Sequence, residues 1–90
     1  MNENIVAHDS TIKPVDREAR ARHFAARIRE EHRRYLLDDD DPQRLSRAAW
    51  KRHILELFDV ADALGVTERV LDLLEPAEQA RAQAAQDGAR

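Results

Sequence analysis

The chain has 90 residues and a net charge of −3, and it contains no cysteine. The missing thiols exclude disulfides, thiolate nucleophiles and sulfur-ligated metal sites, and they fit a reducing compartment, so we predict a cytoplasmic protein. The chain as a whole is neither basic enough to predict DNA binding nor uniformly acidic enough to predict DNA mimicry. No apolar run approaches the roughly 18 residues of a membrane span, and residues 1–10 lack the pattern of a signal peptide.

The composition favours helices, because glycine and proline are scarce while alanine, leucine, arginine and glutamate are abundant. Hydrophobic residues make up 42% of the chain, but 15 of them are alanine, which predicts a thin core for a monomer. We predict an all-α protein with a small three-helix bundle over residues 16–75. A flexible arm at residues 1–15 precedes it, and an alanine-rich helical or frayed tail at residues 76–90 follows it.

The first predicted helix runs from about Arg17 to about Leu37, with Asp16 as its N-cap. Its core face follows the 3.6-residue period of a helix and comprises Ala21, Phe24, Ala25, Ile28, His32, Tyr35 and Leu36. Arginines flank this face, with Arg20, Arg27 and Arg34 on one side and Arg22, Arg29 and Arg33 on the other. They are either a surface for an acidic partner or nucleic acid, or a solvated flank in which Glu30 and Glu31 pair with arginines four residues away.

Charges are segregated along the chain. Residues 16–37 carry seven arginines against four acidic residues, whereas residues 57–75 carry five acidic residues against one arginine. Between them, the run Asp38–Asp41 ends the first helix, and Asp41 is predicted to cap the next helix with Pro42 at its first position. The run lacks the alternating ligands and the turn glycine of a calcium loop, so we predict no metal site there.

The second predicted helix, from about Pro42 to Leu64, has the clearest apolar period in the chain. Its stripe comprises Trp50, Ile54, Leu57, Phe58, Ala61 and Leu64. Leu45 and Leu55 lie off this stripe, which indicates either a second partner within the chain or a dimer contact. Because the predicted core is thin, we favour a homodimer.

A tight corner is predicted after the second helix. Gly65 supplies a left-handed C-cap, with Val66 contacting the last turn as in a Schellman motif. Thr67 is predicted to cap a short third helix over residues 68–75, and Pro76 ends it. The alanine-rich segment that follows is predicted to be a weak helix ending at Gly88.

The segment Val60–Leu74 resembles the turn and second helix of helix-turn-helix proteins. The resemblance rests on a small residue before the bend, glycine at the bend and apolar residues at the buried positions, namely Ala61, Gly65, Val66, Leu71 and Leu74. It implies an αα-corner and, in those proteins, a second helix that meets DNA. The outward positions depart from that expectation because they are acidic overall; they are Thr67, Glu68, Arg69, Asp72 and Leu73.

No combination of residues predicts catalysis. The histidines, His8, His23, His32 and His53, lack the spacing of metal ligands, and His53 with Glu56 is a single i, i+3 pair. The hydroxyl residues Ser10, Thr11, Ser46 and Thr67 form no recognisable triad or dyad, and no glycine-rich phosphate loop is present. We therefore predict no catalytic residue, no metal and no cofactor, and we expect that the protein is not an enzyme.

Two functional hypotheses remain. The first is a small helical interaction protein, an adaptor or inhibitor that binds an unidentified protein. Its predicted partner-binding residues are Arg20, Arg27, Arg34, Arg44, Arg47, Lys51 and Leu55. The alternative is a DNA-binding transcriptional regulator that uses the helix-turn-helix-like corner or the arginines of the first two helices.

Overall fold

The computed structural model describes the backbone of residues 14–87 and the side chains of residues 16–87. Within this range the regular structure consists of four helices, α1 (Pro14–Tyr35), α2 (Arg47–Leu64), α3 (Thr67–Leu73) and α4 (Pro76–Asp87). The predicted all-α bundle of two long helices and a short one, followed by a C-terminal helix, is confirmed. Residues 14 and 15 of the predicted arm begin α1, while the rest of the arm and the predicted stop at Gly88 lie outside the described residues.

Helix α1 begins at Pro14, because proline has no amide hydrogen to lose and its φ is preset for a first helical position. The prediction that Asp16 is the N-cap is therefore wrong. Asp16 lies in the first turn, where its carboxylate is favourable near the positive end of the helix dipole. The predicted core face is buried at Ala21, Phe24, Ala25, Ile28 and His32. Tyr35 is partly buried, whereas Leu36 follows the last turn and is 59% exposed, so its assignment to the core is wrong.

A loop separates α1 from α2, which corrects the predicted start of the second helix at Pro42. The side chain of Asp41 does not cap a helix; it accepts a hydrogen bond from the amide of Gln43 at 2.8 Å and closes a tight turn. The N-cap of α2 is Ser46, whose hydroxyl oxygen accepts from the amide of Ala49 at 3.0 Å. Serine is among the strongest N-cap residues, which explains why the helix begins after it.

Arginine side chains hold this loop against the end of α1. Arg34 donates from Nε to the carbonyl oxygen of Gln43 at 2.9 Å, and Arg44 donates from Nε to the carbonyl oxygen of Leu37 at 3.0 Å. The amide of Leu45 donates to the carbonyl oxygen of Arg34 at 3.1 Å. Leu45 is consequently buried in the core of its own chain and is not part of an exposed dimer contact.

The corner between α2 and α3 has the predicted geometry. Gly65 has a φ of 72°, its amide donates to the carbonyl oxygen of Asp62 at 3.1 Å, and the amide of Val66 donates to that of Ala61 at 3.0 Å. These two bonds define the Schellman motif, so that prediction is confirmed. Thr67 was predicted to cap α3, but it is the first residue of that helix, and its hydroxyl donates to the carboxylate of Asp62.

Helix α4 packs into the bundle through its alanines. Ala82 and Ala85 are fully buried, because small side chains allow α4 to lie close to its neighbours. The N-terminal end of α4 is held by polar contacts: Glu78 accepts from the amide of Glu75 at 2.8 Å, and Gln79 donates to two carbonyl oxygens at the end of α3. Alanine alone buries little apolar area, so these hydrogen bonds matter for the position of α4.

Trp50 lies at the centre of the core. It is 2% exposed, and its indole stacks on the ring of Tyr35 with centroids 4.3 Å apart. The indole Nε1 donates to Nδ1 of His32 at 3.0 Å, and Nε2 of His32 lies 3.3 Å from the carbonyl oxygen of Glu78. Since Nδ1 accepts a hydrogen, Nε2 must carry one and donate it to Glu78. One histidine thus joins α1, α2 and α4.

Helices α1 and α2 run antiparallel. Arg17 near the start of α1 donates to the carbonyl oxygen of Gly65 just beyond the end of α2, while Tyr35 at the end of α1 stacks on Trp50 near the start of α2. Helices α3 and α4 pack against both members of this pair. A groove between α1 and α2 is lined by residues of these two helices only.

Candidate interaction groove

The groove between α1 and α2, which we call the α1–α2 groove, has a volume of about 370 Å³. Its α1 wall consists of Arg27, Glu31 and Arg34, and its α2 wall of His53, Glu56, Leu57 and Val60. On each wall the residues are three or four positions apart, which places them on one face of their helix. Both walls lie immediately beside the buried core stripe of the same helix.

Glu31 forms the buried part of the groove and is only 4% exposed. Its Oε1 lies 2.8 Å from Nδ1 of His53, and its Oε2 lies 3.6 Å from Nη2 of Arg27. An ionised carboxylate only accepts hydrogen bonds, so Nδ1 of His53 carries the hydrogen in this contact. Burying a carboxylate is costly unless it is paired, and both helices therefore supply a partner.

The rims of the groove differ in charge. Arg27 and Arg34 form a basic rim on α1, and the side chain of Arg27 is 52% exposed. Glu56 gives α2 an acidic rim. Between the rims, Leu57 is half-buried and Val60 is 50% exposed, one of two large apolar residues in the described chain with a mostly exposed side chain. The site can therefore contact an apolar surface whose two edges carry opposite charges.

The predicted partner-binding residues do not form one surface. Arg27 and Arg34 line the α1–α2 groove, and Arg20 is exposed further along the same flank of α1. Lys51 and Leu55 lie on α2, where both are half-buried and neither lines the groove. Of these residues, the three on α1 share one flank of that helix, and a role in partner binding stays a prediction for all of them.

The remaining two predicted residues serve the loop between α1 and α2. Besides its bond to the loop carbonyl, Arg44 lies 3.4 Å from the carboxylate of Asp39 and packs over the ring of Tyr35. Arg47 donates to the hydroxyl of Tyr35 at 3.5 Å. Through these contacts, Arg44 and Arg47 hold the loop between α1 and α2 against the end of the core that contains Trp50.

The two predicted ion pairs on α1 have different outcomes. Glu31 contacts Arg27 as expected, four residues away. Glu30 was expected to pair with Arg34, but it binds Arg33 through two hydrogen bonds of 3.0 and 2.6 Å. The pairing with Arg33 holds the pKa of Glu30 below its ordinary value of 4.5.

The helix-turn-helix-like corner presents acidic groups. A second pocket, of about 310 Å³, is lined by Asp62, Gly65, Thr67 and Glu68. Arg69 is the only basic residue of α3, and it donates to both carboxylate oxygens of Glu18 at 2.8 and 2.9 Å. Hydrogen bonding from Arg69 lowers the pKa of Glu18. The corner is formed as the resemblance implies, but phosphate would meet carboxylates there.

Five groove residues were not among the predicted partner-binding residues: Glu31, His53, Glu56, Leu57 and Val60. A shared spacing is the signal that could have found them. The α1 positions 27, 31 and 34 and the α2 positions 53, 57 and 60 repeat the same i, i+4, i+7 pattern on the edge of each core stripe. Two antiparallel helices with matching edge stripes bring those stripes together.

Within residues 14–87, no group of three or more metal-ligating side chains lies close enough to hold an ion. In the same part of the chain, no helix has the combination of length and apolar character that a membrane crossing needs. Comparisons of the chain with family models, with curated proteins and with solved structures gave no match.

Proposed function

We propose that this protein is a small non-enzymatic interaction module, an adaptor or inhibitor, that binds another protein in the α1–α2 groove. The observation that supports the proposal is the half-exposed Val60 inside a concave site whose rims carry opposite charges. An apolar centre contributes affinity, and charged rims set the orientation of the partner. Such a site needs no cofactor and no reacting group.

The shape of the groove favours a helical partner. A trough between two helices takes an amphipathic helix whose apolar face packs on Leu57 and Val60. Acidic residues on one edge of that helix would pair with Arg27 and Arg34, and basic residues on its other edge with Glu56. The partner surface therefore carries both signs of charge, separated by an apolar strip.

The alternative function, a DNA-binding regulator, has less support. The surface of the corner is acidic, and Arg69 is engaged with Glu18. Arg44 is engaged with the carbonyl oxygen of Leu37 and with the carboxylate of Asp39. Basic side chains used in this way have fewer donors to offer to phosphates.

Affinity capture from a cytosolic extract of the source cells tests the proposal. The wild-type chain is compared with two variants, Val60→Glu and Leu36→Glu. Val60→Glu places a carboxylate on the apolar strip of the groove and should abolish capture of the specific partner. Leu36→Glu is the matched control, because Leu36 is also largely exposed and does not line the groove. Loss of the partner with Val60→Glu alone supports the proposal, whereas identical capture by all three forms contradicts it.

A gel shift against random duplex DNA at low salt separates the two functional classes. An interaction module with these engaged arginines should not retard the duplex. Binding that weakens steeply with added salt would instead favour the regulator, because each phosphate contact releases counterions.

A further inference from the structure

We propose that the α1–α2 groove and its rims form the interface with a second copy of this chain in a two-fold symmetric homodimer. This inference rests on the proposed function, since it names the partner of the same groove. It differs from the homodimer expected from the sequence, which used Leu45 and Leu55. Leu45 is now in the core, and Leu55 lies on another side of α2.

The register between α1 and α2 determines which residues of the two groove walls lie side by side. Glu31 contacts His53, which marks one level of the antiparallel pair. Arg27 lies one turn before Glu31 on α1, and Leu57 lies one turn after His53 on α2. Because α1 and α2 are antiparallel, Arg27 and Leu57 are both displaced from the Glu31–His53 contact toward the same end of the helix pair. Arg27 is therefore level with the acidic and apolar residues of α2.

Rotation about a two-fold axis parallel to the helices leaves the height of each residue along the helices unchanged, so Arg27 of one copy is level with Leu57 of the other. When two copies meet face to face about such an axis, α1 of one copy lies over α2 of the other. The basic rim of each copy then faces the acidic rim of the other, so Arg27 meets Glu56 of the partner subunit, and the contact occurs twice. A rotation axis perpendicular to the helices would instead place α1 over α1 and oppose like charges.

The apolar centre completes the complementarity. Val60 and Leu57 of one copy come under the alkyl stem of the partner's Arg27, which can cover them while its guanidinium reaches the acidic rim. The four helices that meet are antiparallel to their neighbours, as in a four-helix bundle. Dimerisation also adds apolar contact to a small domain with an alanine-rich core. Since one chain carries both rims, a second copy satisfies the requirement for a partner of both charge signs.

Light scattering at micromolar concentration provides the first measurement. The wild-type chain should have twice the monomer mass of 10.4 kDa. Val60→Glu should reduce the mass to that of a monomer, and Leu36→Glu should leave the dimer intact. A wild-type mass of 10.4 kDa, or a Val60→Glu variant that remains dimeric, overturns the homodimer.

Charge exchange provides the second measurement, and it depends on the two-fold symmetry. Arg27→Glu alone and Glu56→Arg alone should each be mostly monomeric, because each opposes like charges in both contacts of its homodimer. An equimolar mixture of the two variants should recover a dimer, since both contacts of the mixed pair join opposite charges. Asp59→Arg is the control for Glu56→Arg; it makes the same charge change at an exposed position outside the groove and should leave the dimer intact.

A mixture that stays monomeric contradicts the proposed pairing, and circular dichroism of each variant shows whether its helices are retained. Arg27→Glu places a carboxylate near buried Glu31 and is the variant most exposed to misfolding, so Val60→Glu provides the independent reading. The failure of this inference is distinguishable from failure of the proposed function. A monomeric wild-type chain whose specific partner is lost with Val60→Glu in the capture experiment would retain the groove as a site for a different protein.

Discussion

Trp50 donates its indole hydrogen to Nδ1 of His32 at 3.0 Å in the centre of the core. The bond requires a neutral histidine, because a protonated ring has no acceptor nitrogen. Burial is the main cause that lowers the pKa of His32 from 6.5, followed by the hydrogen bond to the carbonyl of Glu78, which acts in the opposite direction. The two hydrogen bonds of His32 therefore fix its tautomer and join three helices. The lowered pKa of His32 makes the stability of the fold sensitive to pH.

Two substitutions at Trp50 separate packing from hydrogen bonding. Trp50→Ala should destabilise the fold by about 3–5 kcal/mol, as for a large aromatic residue lost from a core. Trp50→Phe retains an aromatic ring against Tyr35 but leaves Nδ1 of His32 without its donor, and should cost about 1–3 kcal/mol. Urea unfolding followed by circular dichroism measures both. An equal loss of unfolding free energy in the two variants would mean that the hydrogen bond, and not the packing, is the main contribution of Trp50. That result would contradict the predicted difference.

The stability should fall as the pH is lowered from about 7.5 to about 5.5. In this window the unfolded chain protonates His32 near its ordinary pKa of 6.5, while the folded chain holds that pKa lower. The unfolded state thus binds more protons, and the free energy of unfolding decreases with decreasing pH. Glu18, Glu30 and Glu78 also have lowered pKa values, but from 4.5, so their contributions are lost at more acidic pH.

The control for this prediction is His32→Gln. A glutamine amide can accept from the indole and donate to a carbonyl, and it does not titrate in this range. Chemical unfolding at the two pH values should show a smaller decrease for His32→Gln than for the wild type. The same decrease in both proteins would assign the pH dependence to other groups.

The parts of the fold that follow local rules were predictable from the sequence. The stripe of α2 is buried at Trp50, Ile54, Phe58 and Ala61, because one apolar face at helical spacing has only one way to avoid water. Gly65 ends α2 with positive φ, because few other residues adopt that conformation. Both features depend on neighbours within a few residues.

The start of α2 could not be predicted because two N-cap signals compete. Asp41 followed by Pro42 matches one signal, and Ser46 provides another five residues later. The choice is made by long-range contacts: Arg34 and Arg44 fix the loop, and this places Leu45 in the core. Sequence periodicity contains no information on such contacts.

The groove was missed for a related reason. The sequence places Arg27 and Arg34 on one flank of α1, but their position relative to α2 depends on the register between the helices. That register is visible in the contact between Glu31 and His53, which are 22 positions apart. The charged residues of the rims can be read from the sequence. Only the packing of α1 against α2 shows that rims of opposite charge enclose an apolar strip.

Gly65→Ala should destabilise the corner by about 1 kcal/mol, and Gly65→Val should cost more. Gly65 has a φ of 72°, but an added Cβ would meet only Arg17 side-chain atoms at 3.8 Å or more, which is ordinary contact. The cost therefore comes from backbone strain and not from a clash. Thermal unfolding of the two variants and the wild type tests the order, and a Gly65→Val midpoint equal to the wild type would contradict it.

Ala82→Leu should destabilise the protein by about 1–3 kcal/mol, because Ala82 is fully buried and a larger side chain would overfill the contact between α4 and the other helices. Ala84→Leu is the matched control; Ala84 is exposed on the same helix, and its substitution should change stability by about 0.5 kcal/mol or less. Displacing α4 would also lengthen the contact between Nε2 of His32 and the carbonyl oxygen of Glu78, now 3.3 Å, so the fluorescence of Trp50 should report the change in the Ala82→Leu variant. Equal unfolding midpoints for the two alanine variants would mean that α4 does not contribute its buried face to the folded bundle in solution.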